Sequence, residues 1–122
     1  MSKLKRKHMK YFKQQVQKFQ RVFGLHRYQI FFGWQKNDCD YLACCITQQA
    51  GAVATMYLAR NWQGTRPTKK ELRRTAFHET MELFLSNMDR LCNARFLQPE
   101  EIEEDRHRII RTLEKVFLEQ FK

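Results

Sequence analysis

Thr75-Ala76-Phe77-His78-Glu79-Thr80-Met81-Glu82-Leu83-Phe84-Leu85 is the stretch that decides how this chain is read. Upstream, Gly64-Thr65-Arg66-Pro67 interrupts any regular pattern, and Thr68 follows with Glu71 three residues later. That is a capping box, in which side chains satisfy the first free amides of a helix. Leu72, Ala76, Met81, Leu83 and Phe84 then recur at helical spacing, which predicts a helix over 68–88 and a further turn near Leu91. Within it His78 and Glu82 stand four residues apart, one above the other on the same face. An imidazole nitrogen and a carboxylate oxygen so placed can both bind a divalent metal. Glu79 is turned about a hundred degrees around the helix from His78. In H-E-x-x-H enzymes the glutamate at this place is the general base. Here Glu82 stands where that pattern has its second histidine. Polar groups enclosed in an apolar frame carry a desolvation cost, which is a reason to assign them a purpose.

A catalytic zinc takes three protein ligands. Pro99 opens a second helix, predicted over 99–120, with acids in its first turn where the helix dipole favours them. Its apolar stripe reads Ile102, Ile109, Ile110, Leu113, Val116 and Phe117. His107 lies at the start of that stripe and is the favoured third ligand; Glu103 and Glu104 are the alternatives.

Working back from the motif, Ala52–Ala59 and Tyr41–Gln48 flank Gln49-Ala50-Gly51 and read as an antiparallel hairpin. Tyr28, Ile30, Phe32 and Trp34 alternate with other residues as in a strand. The three strands are expected at 27–35, 41–48 and 52–60, in an antiparallel sheet, with Asn37-Asp38-Cys39-Asp40 as a turn. Met9, Phe12, Val16, Phe19 and Phe23 form the inner stripe of an amphipathic helix over 9–24, which Gly24 ends. Residues 1–8 are expected to be a flexible basic arm. The whole is one α+β domain of 122 residues.

Composition narrows the function classes. Net charge is +10, and Met1 to Arg27 carries nine Lys or Arg and no acid. A basic surface of this kind suits a polyanion, and Lys3, Lys5, Arg6 and Lys7 are the candidate nucleic-acid contacts. Seven of the thirteen acids lie from Glu100 to Glu119. No stretch approaches the ~20 apolar residues of a membrane span, and the N-terminus lacks the apolar run of a secretion signal. A cytoplasmic location without membrane association is therefore expected. Cys39, Cys44, Cys45 and Cys92 contain no C-x-x-C pair and are expected to be free thiols, with Cys44 and Cys45 on opposite faces of a strand.

Arg74-Thr75-Ala76-Phe77-His78-Glu79, Glu82-Leu83-Phe84-Leu85 and His107-Arg108-Ile109-Ile110-Arg111-Thr112-Leu113-Glu114 together resemble a family of small phage-encoded metallopeptidase-like proteins, distantly similar to SprT-like zincins. The resemblance covers most of the chain. It implies a minimal zincin: a helix, a small sheet with an edge strand lining the cleft, the motif helix and a closing helix. It also implies His78 as a ligand and Glu79 as base. The function expected is a Zn2+-dependent hydrolase of peptides, with His78, Glu82 and His107 on the metal and an edge strand, Ala52–Ala59, aligning the substrate. The alternative is a non-catalytic scaffold that binds nucleic acid or a host protein through its basic N-terminal surface.

Overall fold

Parallel and antiparallel pairing meet on one central strand. In the computed structural model, which describes residues 2–35 and 41–120, strand β4 (Val53–Leu58) pairs antiparallel with β3 (Ala43–Gln48) and parallel with β2 (Gln29–Trp34). The order β2-β4-β3 leaves β3 and β2 at the edges. The α+β class stands, but the sheet is mixed rather than antiparallel. Strand β3 and its hairpin fill the crossover that a parallel pair requires. The expected turn at Asn37-Asp38-Cys39-Asp40 lies outside the described residues. The expected edge strand, Ala52–Ala59, is instead the middle of the sheet.

Alternation assigns the sheet faces. Ala54, Met56 and Leu58 are buried, and their register partners Ile30, Phe32, Trp34, Ala43, Cys45 and Thr47 share that face. Helices α1 (Arg6–Val22) and α2 (Lys69–Phe84) cover it with Phe12, Val16, Leu72, Ala76 and Leu83, which are 0–1% exposed. The opposite face carries Phe31, Ile46 and Tyr57. Helix α1 ends where expected: Gly24 has φ of 65°, and the amides of Gly24 and Leu25 donate to the carbonyls of Arg21 and Gln20. These two reversed hydrogen bonds form a Schellman motif.

The N-terminus is not a free arm. Ser2–Lys3 (β1) pairs antiparallel with Asn61–Trp62 (β5), and the Leu4 amide donates to the Arg60 carbonyl at 2.7 Å. Leu4 is buried and helix α1 begins at Arg6. A buried leucine and a two-residue ladder outweigh the repulsion among the neighbouring cations.

Helix α2 starts as expected, with the Thr68 hydroxyl accepting from the Glu71 amide at 3.2 Å. It stops at Phe84 rather than running to 88. Ser86 Oγ donates to the Leu83 carbonyl at 2.6 Å and accepts from Gln49 Nε2 at 2.7 Å, which fastens the break to the β3–β4 turn. A short helix α3 (Ser86–Cys92) follows, then α4 (Pro99–Gln120). No helix among the described residues is long and apolar enough to cross a membrane.

Helix α4 is closed onto the body by a polar clamp. Asp105 Oδ1 accepts from Arg108 Nε at 2.8 Å and from Asn87 Nδ2 at 3.0 Å, and Arg108 also donates to the Phe84 carbonyl at 3.0 Å. That last bond satisfies a carbonyl left open at the end of α2. The inward stripe is Asp105, Arg108, Ile109, Thr112 and Val116. Ile102, Ile110, Leu113 and Phe117, expected to face inward, are 36–50% exposed.

Candidate active site between the edge strand and the motif helix

Strand β3 brings its helix-side residues directly over the motif. Cys45 and Thr47 share a cleft of ≈710 Å³ with Glu82 and Leu85 of the motif region and with Ser86 and Met88 of α3. Both acids of the motif act on Cys45: burial pushes its thiol up to about 11, and the charges of Glu79 and Glu82 push the same way. Of these two acids, Glu82 lines the cleft, and Glu79 lies on the buried side of α2.

The free edge of β3 follows from its pairing. The Ala59 amide donates to the Leu42 carbonyl at 2.9 Å, so Leu42 and Ala59 form a hydrogen-bonded pair. In an antiparallel ladder such pairs alternate with pairs that do not hydrogen-bond each other. Given the register, Cys44 and Ile46 bond to β4, whereas Ala43, Cys45 and Thr47 turn their N–H and C=O groups outward. Among the described residues no strand pairs with that edge. Two of these three residues, Cys45 and Thr47, also line the cleft.

The motif residues differ sharply in environment. His78 and Glu82 side chains are 70% and 62% exposed, with Nε2 and Oε1 3.5 Å apart. Glu79 is 6% exposed and makes no side-chain hydrogen bond among the described residues. Burial pushes the Glu79 carboxyl above its ordinary 4.5; His78 pulls it down and Glu82 pushes it further up. A carboxyl tuned upward is better matched to proton transfer near neutral pH than an ordinary one.

His78 and Glu82 fit a divalent ion as two ligands of the type zinc accepts. The expected third is not beside them. His107 is two residues from the inward-facing Asp105, so it is turned about 200° away from the packed face. His107, Glu103 and Glu104 are all exposed. Among the described residues no three His, Cys, Asp or Glu side chains gather into a group that could hold a metal. The donor set therefore fits a two-ligand site and does not complete the three-ligand centre expected.

Lys3 lies in β1, Lys5 precedes α1, and Arg6 and Lys7 form its first turn; all four are exposed. Cys45 is free and partly buried, and Cys92 is free and exposed, while Cys39 lies outside the described residues. Sequence reasoning passed over Cys45 and Thr47 as site residues. Their alternation with Cys44 and Ile46 was readable, but not which strand would border the motif helix.

No protein-family model, curated protein or solved structure matches this chain.

Proposed function

We propose that the protein is a hydrolase of the zincin type that takes its substrate as an extended peptide along the free edge of β3. The observation that carries this reading is one juxtaposition. Cys45 and Thr47, whose amides point outward from the edge strand, line the cleft together with Glu82, and Glu79 is buried on the same helix three residues before Glu82.

Strand addition lets main-chain hydrogen bonds hold a peptide of varied sequence. The N–H and C=O groups of Cys45 and Thr47 would grip the backbone and lay a carbonyl beside α2. Glu79 would take the proton from the attacking water and return it to the departing amine. Its raised carboxyl pKa brings it closer to both tasks. A divalent ion on His78 and Glu82 would supply Lewis acidity toward that carbonyl. A second reading keeps the cleft without the chemistry, as a protein that holds an extended segment uncut. The observation that favours it is the lack of a third metal donor among the described residues.

Proline substitution tests the strand-addition step. Thr47→Pro removes an outward amide and leaves the β3–β4 ladder whole, a place where proline is tolerated in an edge strand. Ile46→Pro instead removes a ladder hydrogen bond. We expect Thr47→Pro to stay folded by circular dichroism and to bind peptides of an unfolded protein such as casein up to roughly tenfold more weakly, the scale of one lost main-chain hydrogen bond. Unchanged peptide affinity in folded Thr47→Pro would rule out this edge. Elemental analysis of the wild type and His78→Ala, purified without a metal column, tests the ion. The wild type should carry it and the variant should not.

A further inference from the structure

We infer that the protein has a second site, a groove between α1 and α2 that binds single-stranded nucleic acid. Lys69, Lys70, Arg73 and Arg74 of α2 line it together with aromatic residues Tyr11 and Phe19 of α1 and Phe77 of α2. The groove encloses ≈630 Å³. This inference does not depend on the hydrolase reading.

The argument begins with spacing. Positions 69, 70, 73, 74 and 77 fall on one face of a helix, so four cations and an aromatic ring project into one groove. Among the described residues none of the four cations is paired with a carboxylate. They also sit in the first half of α2, where the helix dipole is already positive. Lys69 and Lys70 in the first turn work against the dipole, so helix stability does not explain them. Their fields add to those of the free N-terminal amides, which favours an anion.

Aromatic rings distinguish this groove from a plain cationic patch. Phe77 is 41% exposed and stands edge-to-face with Phe19, ring centroids 5.3 Å apart, and with Phe23 at 6.1 Å. Phe77 is thereby held in place with part of its ring open to solvent. The Lys69 ammonium lies 5.7 Å from the centre of the Tyr11 ring. A cationic groove that follows phosphates, with aromatic rings on which bases stack, is the recognition mode of single strands. An acidic peptide would use the cations and have no use for the rings. A duplex keeps its bases stacked inside and would likewise leave the rings idle.

The test is fluorescence anisotropy with a labelled twelve-residue oligothymidylate across a salt series. The wild type should bind at low salt. Combining Lys70→Gln, Arg73→Gln and Arg74→Gln should make the log–log salt slope shallower by about 2, since each phosphate contact on a single strand contributes about 0.7. Tyr11→Leu keeps an apolar side chain, removes the stacking surface and should weaken binding roughly tenfold with little change in slope. Combining Lys3→Gln, Lys5→Gln and Arg6→Gln removes the same charge outside the groove and should leave the slope close to wild type. Absence of binding at low salt would overturn the proposal. So would equal weakening by the two triple variants, which would mean net charge alone. Tyr11→Leu without effect, or a duplex or polyglutamate competing as well as the single strand, would overturn it too. Glu79→Gln should bind like the wild type, which separates this site from the cleft.

Discussion

Two carboxylates are buried in this molecule to nearly the same depth, Asp105 at 4% exposure and Glu79 at 6%, and they have opposite fates. Burial pushes on Asp105 too, but hydrogen bonds from Arg108 and Asn87 and the charges of Arg108 and Arg90 outweigh it and hold its carboxyl below the ordinary 3.8. Glu79 has no such partners, and burial pushes it up. Asp105 accepts both bonds through Oδ1, with Oδ2 buried and unpartnered among the described residues, and so forms a structural joint between α3 and α4. A buried acid without such donors is held at a cost to the fold, and that cost is the reason Glu79 is the proposed base.

Breaking the joint should have the largest effect on stability. Asp105→Ala leaves the Asn87 amide and the Arg108 guanidinium without their shared acceptor. We expect a loss of about 2–3 kcal/mol, within the range for stranding the partners of a buried charged group. The denaturant midpoint should fall with the slope unchanged. Asp105→Asn, which keeps one acceptor oxygen, should cost less.

Glu79→Gln should change stability with the opposite sign. It removes a carboxylate that the fold holds at a cost, so the neutral-pH midpoint should rise or hold, never fall as Asp105→Ala does. Their pH windows also separate. A lowered carboxyl contributes stability that is present above its unfolded value and lost as pH falls through the folded one. The Asp105 contribution should therefore be complete above about 3.8 and fade as pH falls below it. A raised carboxyl contributes stability that is complete below its unfolded value and lost as pH rises through the folded one. The wild type should thus lose ground to Glu79→Gln as pH climbs above 4.5. Chemical denaturation of both proteins from pH 3 to 8 measures this directly, and parallel curves would cancel the contrast.

The smallest effect uses Cys45 as a reporter. With its thiol at about 11 rather than 9.0, Cys45 should be alkylated near pH 8 about a hundredfold more slowly in the folded protein than in the unfolded chain, the factor set by the difference in thiolate. Because Glu79 contributes to that rise, Glu79→Gln should speed alkylation of Cys45 and leave Cys92 unchanged. Peptide mapping by mass spectrometry reads both sites in one sample.

Much of this architecture was legible in local sequence. Thr68 and Glu71 marked the start of α2, Pro99 the start of α4, and Gly24 the end of α1, because capping depends on residues a few positions apart. Strand neighbours were not legible. Alternation tells which residues share a face, but nothing in Gln29–Trp34 specifies that β4 rather than β3 lies beside it. The same limit hid the cleft: Cys45 and Thr47 matter only because β3 became the edge beside α2. Helix α4 misled for a different reason. Its inward stripe contains Asp105, Arg108 and Thr112, so hydropathy favoured Ile102, Ile110, Leu113 and Phe117 and drew His107 toward the core. The clamp by Arg108 and Asn87 reverses that choice. The basic N-terminus looks free in sequence because its charge is visible there and the pairing of Ser2–Lys3 with Asn61–Trp62 is not.

The central proposal is that Glu79, buried and without a hydrogen-bond partner among the described residues, is the base that moves a proton during hydrolysis. The most direct test is cleavage of an unfolded protein such as casein, followed by mass spectrometry, with wild type and Glu79→Gln compared at equal metal content. The account predicts that the wild type produces discrete fragments. Glu79→Gln, still folded and still binding peptide, should be slower by about 10²–10⁴-fold, the usual contribution of a general base. Equal rates in the two proteins, or no cleavage by either, would contradict it.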